Sequence, residues 1–215
     1  MKSSFLILIL IFSFLKADKD YSLRFAYGME SDSDLGEILT FQNPTAHKYN
    51  MDVYSLDGGY RFAKNAWDLP LDFYIKGGVA LFKSEDLSKY KELDWMNDVS
   101  SKDVYEFTFY IKLYYKFFSE KLRLGLGEGG SYVTDYLSPE VIEEHEQDNE
   151  NPKYSKYLNY LDISLDLDIG KLFDYKPLFE TYLGYTLKHR SGIFGLVNGV
   201  SGGSNYNTIS IERNF

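Results

Sequence analysis

Two stretches of the chain alternate so strictly between apolar and polar residues that they govern how the rest is read. Tyr105, Phe107, Phe109, Ile111, Leu113, Tyr115 and Phe117 alternate with Glu106, Thr108, Tyr110, Lys112, Tyr114 and Lys116. Leu161, Ile163, Leu165, Leu167 and Ile169 alternate with Asp162, Ser164, Asp166 and Asp168. A period of two is that of a β-strand, whose successive side chains point to opposite faces. A soluble sandwich would not bury either face of so strict a pattern against a row of aspartates, so the apolar face is read as looking outward, into lipid.

The same alternation predicts eight strands, near Tyr21 to Met29, Tyr49 to Phe62, Leu69 to Lys83, Val104 to Phe118, Lys121 to Val133, Leu158 to Lys171, Lys176 to Lys188 and Ser204 to Phe215. The connections alternate in length. Glu30 to Lys48, Ser84 to Asp103 and Thr134 to Tyr157 are long, whereas Ala63 to Asp68, Ser119 to Glu120 and Leu172 to Tyr175 are short. The expected fold is all-β, an eight-stranded antiparallel transmembrane β-barrel with long extracellular loops and short periplasmic turns. Side chains fill the interior of a barrel this narrow. Its inward positions carry Arg24, Arg61, Lys76, Lys112, Lys116 and Arg123 against Asp57, Asp72, Glu106, Asp162, Asp166, Asp168, Glu180 and Glu212. An unpaired charge in so confined a space costs several kcal/mol, so these are expected to pair into a hydrated plug.

Composition narrows the setting. Tyrosine and phenylalanine number 20 and 16, yet the mean hydropathy is −0.33, which leaves aromatic strands with polar alternate faces and no helical spans. Lys2 and the apolar run from Phe5 to Leu15 read as a secretory signal peptide over residues 1–17, ahead of a single barrel domain over 18–215. Removing Lys2 and Lys16 with it takes the formal charge from −9 to −11, which argues against nucleic acid as a partner. There is no cysteine, hence no disulfide and no thiol chemistry. Phe215, sharing parity with Ile209 and Ile211, resembles the C-terminal signal read by the barrel assembly machinery of the bacterial outer membrane. No cofactor or metal is expected: His47 and His145 lack ligand spacing. The acidic run Glu140, Glu143, Glu144, Glu146, Asp148 and Glu150 is read as a solvated loop, and Gly199 to Gly203 as a segment that lets the fourth outer loop turn close to the membrane.

The candidate chemistry lies at the end of the seventh strand. Outward-reading Leu183, Tyr185 and Leu187 lead by alternation to His189 and Ser191, while Tyr182, Thr186, Lys188 and Arg190 take the other face. Positions two apart lie roughly 7 Å apart on one face, and an imidazole there can take a serine proton as general base. On the eighth strand Asn205 shares the outward parity of Ile209 and Ile211 and can accept the imidazole N–H. No outward acid is expected nearby, since Glu212 has the wrong parity and lies near the periplasmic end.

These residues resemble the PagL-like lipid A 3-O-deacylases, eight-stranded outer-membrane esterases with a His-x-Ser pair near the end of the seventh strand. The chain carries His189-Arg190-Ser191-Gly192 and then Gly202-Gly203-Ser204-Asn205-Tyr206. The resemblance implies Ser191 as nucleophile, His189 as base and hydrolysis of an acyl ester of lipid A (lipopolysaccharide) in the outer leaflet, with outer-membrane lipid as surroundings. The family places a glutamate where this chain has Asn205, and an asparagine after its serine where this chain has Gly192. Backbone N–H groups of Gly192 or Ile193 are left as candidate oxyanion donors. The alternatives are a non-catalytic surface barrel with a structural or adhesive role and a small channel.

Overall fold

The computed structural model describes residues 20–33, 35–39, 51–84, 103–147 and 151–215. The expected signal peptide, His47, Tyr49, Asp148 and Glu150 lie outside them. Eight strands form: β1 (Tyr21–Ser31), β2 (Met51–Ala63), β3 (Leu71–Ser84), β4 (Val104–Phe117), β5 (Leu122–Val133), β6 (Tyr157–Asp168), β7 (Thr181–Ser191) and β8 (Gly203–Asn214). Each pairs with its sequence neighbour, and β1 pairs antiparallel with β8 to close the barrel.

Following facing residues around the barrel from Tyr21 leads through Tyr60, Ile75, Ile111, Glu128, Leu161, His189 and Asn205, and returns to β1 at Ser31. This stagger of ten residues over eight strands tilts them by about 40° from the axis. Outward side chains are broadly apolar and exposed, among them Phe109 (64%), Ile111 (53%) and Ile209 (59%). An apolar surface wrapped around a closed barrel is one that lipid solvates and water does not.

Inside, the opposite charges pair. Asp162 holds both Arg24 and Lys112, and Tyr110 bridges Arg24 and Asp57. Lower down, Glu212 lies 2.8 Å from Lys76 and 3.1 Å from Arg123, which also binds Asp166. Towards the loop end the lumen holds a buried apolar cluster of Met51, Val53, Phe82, Val104, Leu137 and Tyr206 beside the Arg190, Glu106 and Glu140 charges.

Three expectations are corrected. β6 stops at Asp168, not Lys171, because the Asp168 carboxylate accepts from the Lys171 N–H at 2.9 Å and starts a short helix, Ile169–Leu172. A 3₁₀ turn over Lys176–Leu178 follows, so β7 begins at Thr181 and Glu180 sits in the turn, 4.0 Å from Arg61. The described part of the acidic run, Glu140 to Glu146, is helical and not coil. Besides α1 (Leu35–Leu39) in the first loop, the loop end carries α2 (Ser138–Gln147), whose Glu140 and Glu144 are 6% and 3% exposed.

Candidate active site

Register, rather than sequence proximity, assembles the site. His189 faces Asn205 across the β7–β8 ladder and Leu161 across β6–β7, while Ser191 lies between Asn159 and Gly203. All six are outward positions, so the polar ones interrupt the apolar belt at the loop end. They line a groove of about 780 Å³ walled above by Leu35 and Gly36 of α1, Glu143 of α2 and Phe194 of the fourth loop. The pair is therefore half-buried in a groove instead of open to lipid.

The orientation of Asn205 sets the state of the imidazole. Its Nδ2 donates to the Ser33 carbonyl at 3.1 Å, a partner that can only accept. Its Oδ1 is thereby turned to His189 Nδ1 at 2.8 Å. The Nδ1 nitrogen must carry the proton, which leaves Nε2 with a free lone pair. Ser191 Oγ accepts from the Ile193 N–H at 3.4 Å; among the described residues it makes no hydrogen bond with the imidazole.

The opposite face of the same strand is anchored. Arg190, between His189 and Ser191, points inward and places Nε 2.7 Å from Glu140 Oε1, Nη1 3.4 Å from Glu106 Oε1, and Nη1 against Ser131 Oγ. Glu140 also accepts from Ser204 Oγ at 2.8 Å. Glu140, Glu143 and Glu144 share one helix face by their i, i+3, i+4 spacing. The last two hold the fourth loop: Glu144 accepts from the Ser201 N–H and, at 2.5 Å, from Gly202, and Glu143 from Gly203 at 2.8 Å. Three successive amides, Ser201 to Gly203, are thus committed to α2, and with Arg190 they bury Glu140 and Glu144, two acids that look solvated in sequence.

Of the two backbone donors named from sequence, Gly192 is committed elsewhere, its N–H donating to Gly202 O at 3.1 Å. Ile193 remains. Its φ of 50° is left-handed, unusual for a β-branched residue, and its N–H points at Ser191 Oγ. A Cβ on Gly192 would lie 1.9 Å from Val200 O, so only glycine lets the fourth loop close here.

Two groove residues escape a reading by strand parity alone. Asn159 stands beside Ser191 on β6, within the roughly 5 Å of directly facing Cβ atoms. Glu128 on β5 faces Leu161, one strand further from His189, and corrects the expectation that no outward acid lies nearby. Its parity with exposed Leu124 and Leu126 was visible in sequence; its height beside His189 depends on the stagger.

No family model and no curated protein matches the sequence. Among solved structures, the outer membrane enzyme PagL matches with a TM-score of 0.56 at 12% identity, over 90% of this chain and 99% of that one. The N-terminal β-barrel domain of Pseudomonas aeruginosa OprF gives 0.47 at 9% identity, over 91% and 98%. Ail, the attachment invasion locus protein of Yersinia pestis, solved with the heparin analogue sucrose octasulfate, gives 0.43 at 10%, over 89% and 95%. The chain is an eight-stranded antiparallel barrel of the outer-membrane kind.

Proposed function

We propose that the protein is an integral outer-membrane serine esterase that hydrolyses an acyl ester of a lipid in the outer leaflet, lipid A being the substrate that the likeness to PagL-like deacylases suggests. The observation that carries the reading is the Asn205 amide, whose contact with Ser33 O makes Nδ1 the protonated nitrogen and leaves Nε2 as a base on the face that bears Ser191. In the reaction, Ser191 Oγ attacks the ester carbonyl as His189 Nε2 takes its proton. The alkoxide of the tetrahedral intermediate is held by the Ile193 N–H and the Asn159 amide. Collapse expels the lipid alcohol, which receives the proton from Nε2, and water then releases the fatty acid from Ser191 by the same steps. Asn205 fixes the ring but supports its positive form less than a carboxylate does, because a hydrogen bond between a neutral and a charged group lacks the charge of the second partner.

Expression of the protein in a strain with ester-linked lipid A chains is expected to remove one acyl chain, read as a mass loss, and Ser191→Ala to abolish it. A second reading, a non-catalytic surface barrel, is favoured by the missing His189–Ser191 hydrogen bond; lipid A of unchanged mass alongside a folded barrel would support it.

A further inference from the structure

Glu128 is an exposed carboxylate on the outward face of β5, among the apolar positions Leu124 and Leu126, and it has no hydrogen bond or ion pair among the described residues. An acid on the lipid-facing side of a barrel is destabilising, and an ionisable group in such a place has a partner or a function. It does not touch the imidazole directly: with Leu161 between them in register, Glu128 and His189 stand two strand spacings apart, roughly 9.6 Å at the backbone. Both line the one groove, which runs between them over Leu161. No lysine or arginine is among the described lining residues, and the second acid, Glu143, is already bonded to Gly203 N–H.

We propose that Glu128 is a specificity-determining residue that accepts a hydrogen bond from the polar part of the lipid, one headgroup's width from the reacting ester, and disfavours a phosphate monoester seated at that one position. The ligand group it fits is a donor, an ammonium or a sugar hydroxyl. This rests on the esterase reading only for placing the ester at Ser191. Glu128→Leu removes the interaction and Glu128→Lys reverses its sign, and neither breaks a hydrogen bond or ion pair among the described residues.

The test measures binding so that it does not depend on turnover. Folded Ser191→Ala protein in neutral detergent micelles is titrated, by fluorescence anisotropy, with acyl-labelled phosphatidylethanolamine, phosphatidic acid and a neutral monoglycosyl diacylglycerol. The ethanolamine and sugar probes are expected to bind about tenfold tighter than phosphatidic acid, a modest return for one partly screened charge pair. Glu128→Leu should level the ethanolamine and phosphate probes, and Glu128→Lys should reverse their order. Ethanolamine ahead of glycolipid identifies an ammonium, and the reverse a hydroxyl. One unchanged order in all three proteins overturns the proposal. Ser191-dependent hydrolysis of a neutral p-nitrophenyl ester is measured separately on Ser191-containing protein, so that failure of the esterase reading is seen independently of failure at Glu128.

Discussion

Replacing Arg190 by methionine is the sharpest test of how the candidate site is held. The aliphatic stem is kept, so packing changes little, but the guanidinium that joins Glu140 at 2.7 Å to Glu106 at 3.4 Å is gone. Arg190 and Glu106 are each 1% exposed in their side chains and Glu140 8%, so two carboxylates lose their counter-ion out of reach of bulk water. Breaking a buried pair in this way costs about 3–5 kcal/mol, or between two and four orders of magnitude in the folding equilibrium, roughly. Replacing an ion pair by apolar residues of similar size is close to neutral, so adding Glu140→Leu should recover about 1–2 kcal/mol of the loss. The measurement is urea unfolding of protein refolded into detergent micelles or thin bilayers, followed by intrinsic fluorescence and by heat-modifiable electrophoretic mobility. Arg190→Met within about 1 kcal/mol of the parent, or a double variant no more stable than the single, refutes the view that this buried charge is held by α2.

Other consequences are open to test. Gly203→Ala puts a Cβ 2.0 Å from the Arg190 carbonyl oxygen and 3.0 Å from Ser191 Cα, so it should open the β7–β8 ladder at the site and lower the melting temperature measurably. Glu144→Ala frees the Ser201 and Gly202 amides; hydrogen exchange there should accelerate, while Glu144→Gln, which keeps an acceptor, should restore much of the protection. Asp162→Asn removes the counter-ion shared by Arg24 and Lys112 and should cost about 3–5 kcal/mol in the same urea assay. Under the esterase reading, Asn205→Leu frees the imidazole and should lower kcat by about tenfold or more with little change in KM, read on micellar p-nitrophenyl esters.

The strands were legible because a barrel wall is one residue thick: each position sees lipid or lumen, and the alternation records which. The ends of β6 and β7 were not, since Asp168 ends its strand by a side-chain cap that the same aspartate inside a strand would not make. The buried side of α2 was illegible for another reason. Its acids make no apolar stripe, and what buries them is Arg190 and three amides of a loop some 60 residues away. Asn205 beside His189 could be counted back from the chain end. Asn159 and Glu128 could not, because their height on β6 and β5 depends on how far each ladder is shifted.

That shift acts as a reading frame. Two residues inserted within β6 below Leu161 would keep every inward side chain inward and every outward one outward, and the ladders could re-form around them. Yet Asn159 would move one outward step past Ser191, and Leu161 past His189. The groove could thus be taken apart while the barrel stayed whole, so two barrels that superimpose strand for strand can share a wall and hold no residue of the site in common.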